Sequence, residues 1–493
     1  MRRTLLRAGP VVIAAAAVSA GSCASRAAPG TESADEGHYR ALEDKIRTGM
    51  AAYGIPGVAI GILYRGAEYV RGFGVTDVDH STPVDGDTLF AIGSTTKTFT
   101  GTTVMRLVEQ RLLDLDDPVD RYLPEFRTAD PAVASRVTVR QLLNHSAGWL
   151  GDDFQDFGSG DDALARYAQS MVRLPQLTPP GEVFAYNNAA VALAGRLVEV
   201  ITGKPYEQAV RELLIDPLGL ARTRFSAKEL TGFNVAASHK VVEGTPRVES
   251  SPFTVPRTVN PAGGLLSSVR DQLRYARFHL GDGTAPGGQR LLTERSLVAL
   301  RSRPGPGGTM LVELDGVGVT WLLRPSAEGV QIVQHGGSLP GQYSGFLMVP
   351  DREFALTMLT NSTGGPKLVG ELFTDDWALR RFAAVRNLSA VPKTLNAGEL
   401  APYEGHYTRQ VIGTTGAVES IDVQLSAEGS QLRMKSTSGN DIPESHLAFY
   451  GRDHVVILDA NSALTQMRAD FVRGPEGTIQ WLRLGGRLHR RQQ

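Results

Sequence analysis

The chain has 493 residues, of which 42% are hydrophobic and 21% charged, and its formal net charge is -1 at pH 7. This length and composition fit a soluble globular protein with at least one large core, and the balanced charge argues against nucleic acid as a partner. After the N-terminal segment, no apolar run reaches the roughly 18 residues typical of a membrane helix.

The first 23 residues are typical of an export signal. Arg2, Arg3 and Arg7 supply the positive start, and residues 8–22 are mostly small and apolar. This stretch is short for a membrane span. Arg2-Arg3-Thr-Leu-Leu also resembles a twin-arginine signal. We therefore expect export to the cell envelope.

Cys23 is the only cysteine, so no disulfide can form within one molecule. Ala20-Gly-Ser-Cys23 resembles a bacterial lipobox, although Ala20 stands where Leu is usual. Lipidation of Cys23 would anchor the protein to the membrane surface. The alternative is an ordinary signal peptide and a secreted or periplasmic protein. Residues 24–38, rich in Ala, Ser, Gly and charge, predict a flexible tether.

Hydrophobic periodicity predicts an α/β (α+β) body at residues 39–386, in which helices flank an antiparallel sheet and residues 94–330 supply a helical part and the pocket loops. Helices are predicted at 39–53 and 367–386. Strands are predicted at 58–64 and 68–75 around Arg65-Gly66, and at 331–334, 345–349 and 354–359, with Pro350-Asp-Arg352 joining the last two.

The last part of the chain has a different pattern. Residues 387–400 form a linker that contains Pro and Ala, and residues 401–493 are predicted to be a small β-rich domain. Ile421, Val423 and Leu425 alternate with polar residues, and Ile479 and Trp481 repeat the two-residue period.

Three short motifs follow one another in the body: Ser94-Thr-Thr-Lys97, Tyr186-Asn-Asn188 and His335-Gly-Gly337. A serine hydroxyl needs a base to become a good nucleophile, and a spacing of three on a helix places Lys97 on the same face as Ser94. We expect a helix from Ser94 to about Arg111, with its first N–H groups facing the reacting centre. The Ser94 N–H would then form half of an oxyanion hole.

Tyr186 is the second candidate base. A neighbouring Lys97 ammonium would favour its phenolate, whereas burial could instead neutralise Lys97, so we treat the two as a coupled pair. Protonation of His335 or of this pair would remove the base, which predicts an acid limb in the rate.

Each residue also has a plainer interpretation. Ser94 would be a helix N-cap, Tyr186 and Asn188 a half-buried tyrosine and a turn asparagine, and His335 a surface residue.

The surroundings of these motifs resemble the class C branch of the serine β-lactamase and penicillin-binding protein superfamily over about residues 39–385. The blocks that carry the resemblance are Phe90-Ala-Ile-Gly-Ser94, Leu142-Leu-Asn-His-Ser-Ala-Gly148, Phe184-Ala-Tyr186, Leu193-Ala-Gly195, Pro261-Ala-Gly-Gly-Leu265 and His335-Gly-Gly-Ser338. Since its block lies apart from the three catalytic motifs of this family, we interpret His145 as a structural histidine. The resemblance implies a serine hydrolase fold.

The resemblance also implies roles for individual residues. It places the second oxyanion donor at the Ser338 N–H after Gly337, and it gives Asn188 the task of holding Lys97 and a substrate carbonyl. His335 stands where β-lactamases usually carry Lys, and a largely neutral imidazole holds a carboxylate less firmly than an ammonium does. This argues against efficient β-lactam hydrolysis and leaves DD-peptidase, D-aminopeptidase and esterase activities open. The position of residues 401–493 is similar to the lipocalin-like barrels of some relatives, either as a structural cap or for substrate choice.

We therefore expect an exported serine hydrolase that forms an acyl-enzyme on a small molecule or a peptide, with D-amino-acid peptides or small esters as substrates. The alternatives are a penicillin-binding sensor or scaffold without turnover, and an acyl transferase such as a transpeptidase or peptide cyclase. No His-Glu-x-x-His or His-x-His motif occurs, so we expect no metal and no cofactor. The oligomeric state is not determined by the sequence.

Overall fold

The computed structural model describes residues 34–225, 229–249, 255–302, 304–439, 442–459 and 463–492. The predicted export signal, Cys23 and most of the tether lie outside these ranges. Among the described helices, none is both long enough and apolar enough to cross a membrane.

The helices are α1 (Ala34–Tyr53), α2 (Thr96–Glu109), α3 (Pro131–Ala134), α4 (Val139–Leu143), α5 (Ala163–Ser170), α6 (Asn188–Thr202), α7 (Tyr206–Val210), α8 (Asn260–Gly263), α9 (Val269–Leu280), α10 (Glu294–Leu300), α11 (Gly365–Val369) and α12 (Ala397–Leu400). The short strands of the first part are β3 (Phe90–Ala91), β4 (His239–Val242), β5 (Thr245–Val248), β6 (Leu266–Ser267), β7 (Gly308–Met310) and β8 (Val312–Leu314), and they form three two-stranded sheets. The first helix begins at Ala34, so residues 34–38 belong to it and not to the predicted tether.

The main sheet consists of β1 (Gly57–Tyr64), β2 (Ala67–Gly74), β9 (Gly316–Val317), β10 (Leu322–Arg324), β11 (Ile332–Gln334), β12 (Gly337–Leu339), β13 (Gln342–Val349) and β14 (Phe354–Thr360). Its order is β2-β1-β14-β13-β11-β10-β9, with β12 paired to β13, and all pairs are antiparallel. The predicted antiparallel sheet is therefore confirmed. Arg65 and Gly66 have φ angles of 49° and 83°, which suit the tight β1–β2 hairpin.

Helices cover both faces of this sheet, which explains why β1 is apolar along nearly its whole length. Ala59 and Leu63 pack in the same cluster as Leu273 of α9, whereas Ile60 and Ile62 pack with Leu368 of α11 on the other face. A strand buried on both sides has no polar face to present to water.

Helix α2 runs through the centre of the helical part, and every residue from Thr96 to Leu107 is buried. Its threonine hydroxyls are satisfied inside the protein; for example, Thr100 Oγ1 donates to the Pro261 carbonyl at 2.6 Å. The helix begins two residues later than predicted, because Gly93–Thr95 form a separate tight helical turn. Packing therefore supports a helix whose β-branched residues give it only moderate intrinsic propensity.

The predicted closing helix at 367–386 is wrong as a single element. Helix α11 continues beyond Val369 as a wider π-helical turn, Gly370–Thr374, and after a break the chain resumes helical turns at Leu379–Ala383. Asp376 lies between them with φ 55°, and its carboxylate accepts a hydrogen bond from the Asn387 N–H at 2.7 Å. A positive φ lies outside the right-handed helical region, so the helix cannot continue through Asp376.

The C-terminal part is a closed antiparallel barrel of eight strands: β15 (Gly405–Ile412), β16 (Val418–Glu428), β17 (Gln431–Ser436), β18 (Ser445–Phe449), β19 (His454–Leu458), β20 (Leu464–Arg473), β21 (Ile479–Leu484) and β22 (Arg487–Arg491). Strand β15 closes the barrel by pairing with β22 as well as with β16. Val423 and Leu425 lie in its apolar core, as their alternation predicts. The predicted β-rich domain is confirmed.

The barrel is joined to the first part by backbone hydrogen bonds. The Ile412 N–H donates to the Asp152 carbonyl and the Phe154 N–H donates to the Ile412 carbonyl, both at 2.9 Å. The Tyr186 N–H donates to the Gly486 carbonyl at 2.8 Å. The barrel therefore packs on the segments around Asp152 and Tyr186.

A buried ion pair reinforces this contact. Arg483 Nη2 lies 2.6 Å from Asp470 Oδ2, and the two side chains are 6% and 4% exposed. The same guanidinium donates from Nη1 to the Phe184 carbonyl at 2.7 Å. Arg483 thus links the barrel to the segment that leads into Tyr186.

Replacing Asp470 with Ala should lower stability by about 3 to 5 kcal/mol, because Arg483 would be left as an unpaired buried charge. Thermal unfolding of the full chain measures the loss. Glu444→Ala is the matched control, since it breaks the exposed barrel pair with Arg433 and should cost less than about 1 kcal/mol. Equal unfolding midpoints for the two variants would contradict the importance of the buried pair.

Candidate active site

Ser94 lies in the tight turn Gly93–Thr95 that leads into α2, and its side chain is half-buried. Gly93 has φ 48°, and a Cβ built on it would lie 2.7 Å from the Ser338 nitrogen. Only glycine combines this backbone conformation with such a close approach. The nucleophile candidate is therefore held directly against strand β12.

Lys97 lies one helical turn further on and is completely buried. Its Nζ is 3.1 Å from Ser94 Oγ and donates to the Ala262 carbonyl at 2.6 Å. Burial holds the pKa of Lys97 well below its usual range, and the Arg487 guanidinium lowers it further, whereas the Asp152 carboxylate opposes the shift. These surroundings favour the neutral amine.

Tyr186 precedes α6, whose N-cap is Asn187, with Asn187 Oδ1 accepting from the Ala190 N–H at 2.7 Å. Lys97 Nζ lies 5.0 Å from the centre of the Tyr186 ring. Burial raises the pKa of Tyr186 to about 12, although Arg487 and the nearby Ser94 hydroxyl act in the opposite direction. Of the two open alternatives for the pair, these shifts favour a neutral lysine beside a protonated tyrosine.

Asn188, the first residue of α6, lies close to this pair but has another partner. Its Nδ2 donates to Asp152 Oδ1 at 2.8 Å. Within the described residues no hydrogen bond joins Asn188 to Lys97, so the predicted hold on Lys97 is not observed. The Ala262 carbonyl, from the Pro261-Ala-Gly-Gly block, holds Lys97 instead.

His335 is completely buried, which excludes the surface alternative. Its Nδ1 is 2.7 Å from the Gly336 carbonyl, and its ring centre is 6.1 Å from that of Tyr186. Burial, with a smaller effect of Lys97, lowers the pKa of His335 to about 3. The imidazole is therefore neutral near neutral pH. Of the two alternatives for the predicted acid limb, protonation of His335 or of the Lys97 and Tyr186 pair, this leaves the pair.

Gly337 and Ser338 form the part of β12 that faces the nucleophile turn. A Cβ on Gly337 would lie 1.9 Å from the Ile92 carbonyl oxygen, so a side chain there would push the strand away. Ser338 pairs with Tyr343 of β13 and lies beside Gly93. The backbone of Ser338 is thus brought next to the turn that carries Ser94.

His145 lies at this site, although its sequence block seemed to stand apart. Its ring centre is 4.4 Å from that of Tyr186, and its Nδ1 accepts a hydrogen bond from the Asn187 N–H at 3.1 Å. Burial, followed by Lys97, holds the pKa of His145 well below its usual range. A neutral His145 positions the Tyr186 segment, which is a structural task within the site.

Sequence reasoning missed three charged residues. Asp152 is buried behind Asn188, and its Oδ2 accepts from Arg409 of β15 at 2.9 Å and from Arg487 of β22 at 3.2 Å. No motif marks any of them. Both arginines belong to the barrel, more than 200 residues away along the chain, so only the packing of the barrel reveals them.

Three polar atoms at the site are buried and lack a hydrogen-bond partner among the described residues: Tyr186 Oη, His145 Nε2 and His335 Nε2. Native proteins rarely leave such atoms unpaired except at functional positions. Among the residues that the structure describes, there is no group of three or more His, Cys, Asp or Glu side chains that could hold a metal ion.

The chain is similar to several known proteins. A family model described as Beta-lactamase matches residues 42–379. Penicillin-binding protein 4 of Amycolatopsis lactamdurans is 34% identical over 381 residues, which cover 76% of this chain and 98% of that protein. Unguisins hydrolase ungD of Aspergillus violaceofuscus is 24% identical over 505 residues, which cover 91% of this chain and 88% of that protein.

Among solved structures, SurE superposes with a TM-score of 0.71 at 27% sequence identity, covering 93% of this chain and all of that chain. SurE has also been solved with D-Leu, and that structure gives the same TM-score. The similarity therefore extends through both the sheet-containing part and the barrel.

His335 should stay uncharged between about pH 5 and 8, since burial lowers its pKa far below this range. NMR of histidine-labelled protein measures this, with His335→Gln used to assign the signal. Exposed His80 is the internal control, because its hydrogen bond to Asp77 raises its pKa and it should titrate. Titration of His335 within this range would contradict the assignment of a neutral ring.

Proposed function

This chain belongs to the beta-lactamase family of serine hydrolases, and we propose that it cleaves amide or ester bonds through an acyl-enzyme on Ser94. Its substrates in this proposal are peptides with D-amino acids, or small esters. The observation that carries the proposal is the 3.1 Å contact between Ser94 Oγ and a completely buried Lys97 Nζ. At this distance a neutral amine can act as the general base that accepts the proton of the Ser94 hydroxyl.

In the first step, Lys97 accepts the Ser94 proton as Oγ attacks the carbonyl carbon. The carbonyl oxygen becomes an oxyanion, and the proton then reaches the leaving nitrogen or oxygen through the Lys97 and Tyr186 pair. Tyr186 enters this step protonated, because burial raises its pKa to about 12. In the second step water attacks the acyl carbonyl, its proton passes through the same pair to Ser94 Oγ, and the bond between Oγ and the carbonyl carbon breaks to release the acyl group as an acid.

The backbone N–H groups of Ser94 and Ser338 are the proposed oxyanion donors. Gly93 approaches the Ser338 nitrogen so closely that a Cβ on Gly93 would lie 2.7 Å from it, and this supports the assignment. Gly337 allows the approach, since any side chain there would meet the Ile92 carbonyl. Loss of one such donor typically costs about 100- to 1000-fold in rate.

The neutral His335 supports D-amino acid amides and small esters, which carry no carboxylate, over β-lactams. An imidazole with a pKa of about 3 supplies no positive charge for a substrate carboxylate at the place where β-lactamases of the family carry Lys. The D-Leu complex of SurE supports a site that accepts D-amino acids. The name of the unguisins hydrolase likewise supports hydrolysis as the reaction of a relative that matches most of this chain.

Ser94→Ala should abolish turnover of D-amino acid amides, D-Ala-D-Ala peptides and short-chain esters, because the residual rate without a nucleophile is lower by at least about 1000-fold. A chromogenic cephalosporin should be a poor substrate of the wild type. Mass spectrometry should show a fluorophosphonate adduct on wild type and on the exposed-serine control Ser135→Ala, but none on Ser94→Ala.

Equal labelling of wild type and Ser94→Ala would contradict the proposal. One equivalent of product followed by arrest would instead indicate a sensor without turnover. A rate that depends on added amine, with a new amide as product, would indicate an acyl transferase.

We also propose that the protein is exported and anchored by a lipid on Cys23, on the basis of its N-terminal sequence. Full-length wild type should then occur in the membrane fraction and incorporate an alkyne-labelled fatty acid, whereas Cys23→Ala should do neither, because one thiol carries the anchor. Unlabelled wild type found in the soluble fraction would contradict lipidation and favour a secreted or periplasmic protein.

A further inference from the structure

The tip of one barrel hairpin reaches the candidate active site. Strands β21 and β22 are joined by Gly485 and Gly486, whose φ angles of 56° and 79° suit a two-residue turn. The Gly486 carbonyl accepts from the Tyr186 N–H at 2.8 Å, and a Cβ on Gly486 would lie 3.3 Å from Tyr186 Cβ. The hairpin therefore packs directly on the backbone of Tyr186.

The next residue, Arg487, lies over the Tyr186 ring with its Cζ 4.5 Å from the ring centre. Its Nη1 donates to the Gly485 carbonyl at 2.9 Å, and its Nε donates to Asp152 Oδ2 at 3.2 Å. The side chain is 29% exposed. A guanidinium fixed by its own turn and by a buried carboxylate has little freedom to move.

Asp152 connects this guanidinium to the catalytic motif. Its Oδ2 also accepts from Arg409 at 2.9 Å, whereas its Oδ1 accepts from Asn188 Nδ2 at 2.8 Å. Burial alone would raise the pKa of Asp152, but the guanidiniums of Arg487 and Arg409 lower it below its ordinary value. The carboxylate is therefore ionised, and two guanidiniums against one carboxylate leave one positive charge beside Tyr186.

We propose that Arg487, a residue of the barrel, is a positioning residue of the catalytic centre. It orients Tyr186 directly and Asn188 through Asp152, and it keeps positive charge beside Lys97. This inference rests on the proposed function of Ser94. In this proposal the barrel contributes a residue to the active site. Its role is then more than that of a structural cap or of a domain for substrate choice alone.

The charges around Lys97 agree with this arrangement. Arg487 disfavours the protonated form and lowers the pKa of Lys97, whereas Asp152 favours that form and raises it, both acting after the larger effect of burial. The other groups at Lys97 are the protonated Tyr186 and the neutral His145 and His335.

Around Arg487 itself, Asp152 pairs with the guanidinium and Arg409 contributes a second positive charge. His489 lies on the same strand, and burial lowers its pKa to about 3, so it carries no charge near neutral pH. A change at Arg487 or Asp152 is therefore expected to alter the charge felt by Lys97 without a compensating titration nearby.

The test is the rate at which a fluorophosphonate labels Ser94 in the full chain across the pH range. The wild-type rate should fall as the pH falls through the pKa of Lys97, because the protonated amine is not a base. Arg487→Met should move this acid limb to higher pH and slow labelling on the limb by about 3- to 10-fold. Asp152→Asn should move the limb in the opposite direction, to lower pH.

Two further variants separate charge from packing. Arg487→Lys keeps the positive charge but not the planar fork, so it should restore most of the limb position. Arg490→Met removes an exposed arginine of β22, the strand of Arg487, that lies over Trp481 of β21, and it should leave the position of the acid limb unchanged. Thermal unfolding confirms that each variant is folded.

If labelling requires Ser94 but its rate falls at the same pH in Arg487→Met, Asp152→Asn and wild type, the proposed role of Arg487 is overturned and the Ser94 proposal is left intact. Labelling that persists in Ser94→Ala would overturn both. Slower turnover of carboxylate-bearing substrates alone, with an unmoved limb, would make Arg487 a substrate-binding residue and would also overturn the inference.

Discussion

The constraint on which this site depends is the burial of one amine beside one hydroxyl. Lys97 is removed from water, and within the described residues it forms no ion pair, so its Nζ has the Ser94 hydroxyl and the Ala262 carbonyl as its polar partners. Burying an unpaired ammonium is costly, so the group responds by losing its proton more readily. Dense packing of α2 therefore converts an ordinary lysine into a candidate base.

That packing is achieved by small residues and threonines at close approaches. A Cβ on Gly101 of α2 would lie 2.3 Å from Thr320 Oγ1, and Gly93 and Gly337 allow similar contacts between the nucleophile turn and β12. The hydroxyls of α2 find partners within the protein, so a polar helix can occupy the core without unsatisfied groups. The same contacts exclude water from Lys97.

The barrel completes the wall of the site. Its Gly486 carbonyl accepts a hydrogen bond from the Tyr186 N–H, and its Arg483 donates one to the Phe184 carbonyl. It also brings two arginines, Arg409 and Arg487, to Asp152. These groups act on the charge balance of the site, and nothing in the local sequence around them identifies that task. The barrel and the sheet-containing part share one polar network at the motif Tyr186-Asn-Asn188.

The sequence by itself determined the family, through the resemblance of its motif blocks. It also determined the antiparallel sheet with its helices, the β-rich C-terminal domain and the placing of Lys97 beside Ser94, because hydrophobic periodicity and motif spacing can be recognised without knowledge of tertiary contacts. Tertiary structure alone decided the break in the predicted closing helix, the hold of Ala262 on Lys97, the neutrality of His335 and the arrival of Arg487 over Tyr186. Burial and charge at a point depend on every segment packed around it, and those segments lie far apart in the chain.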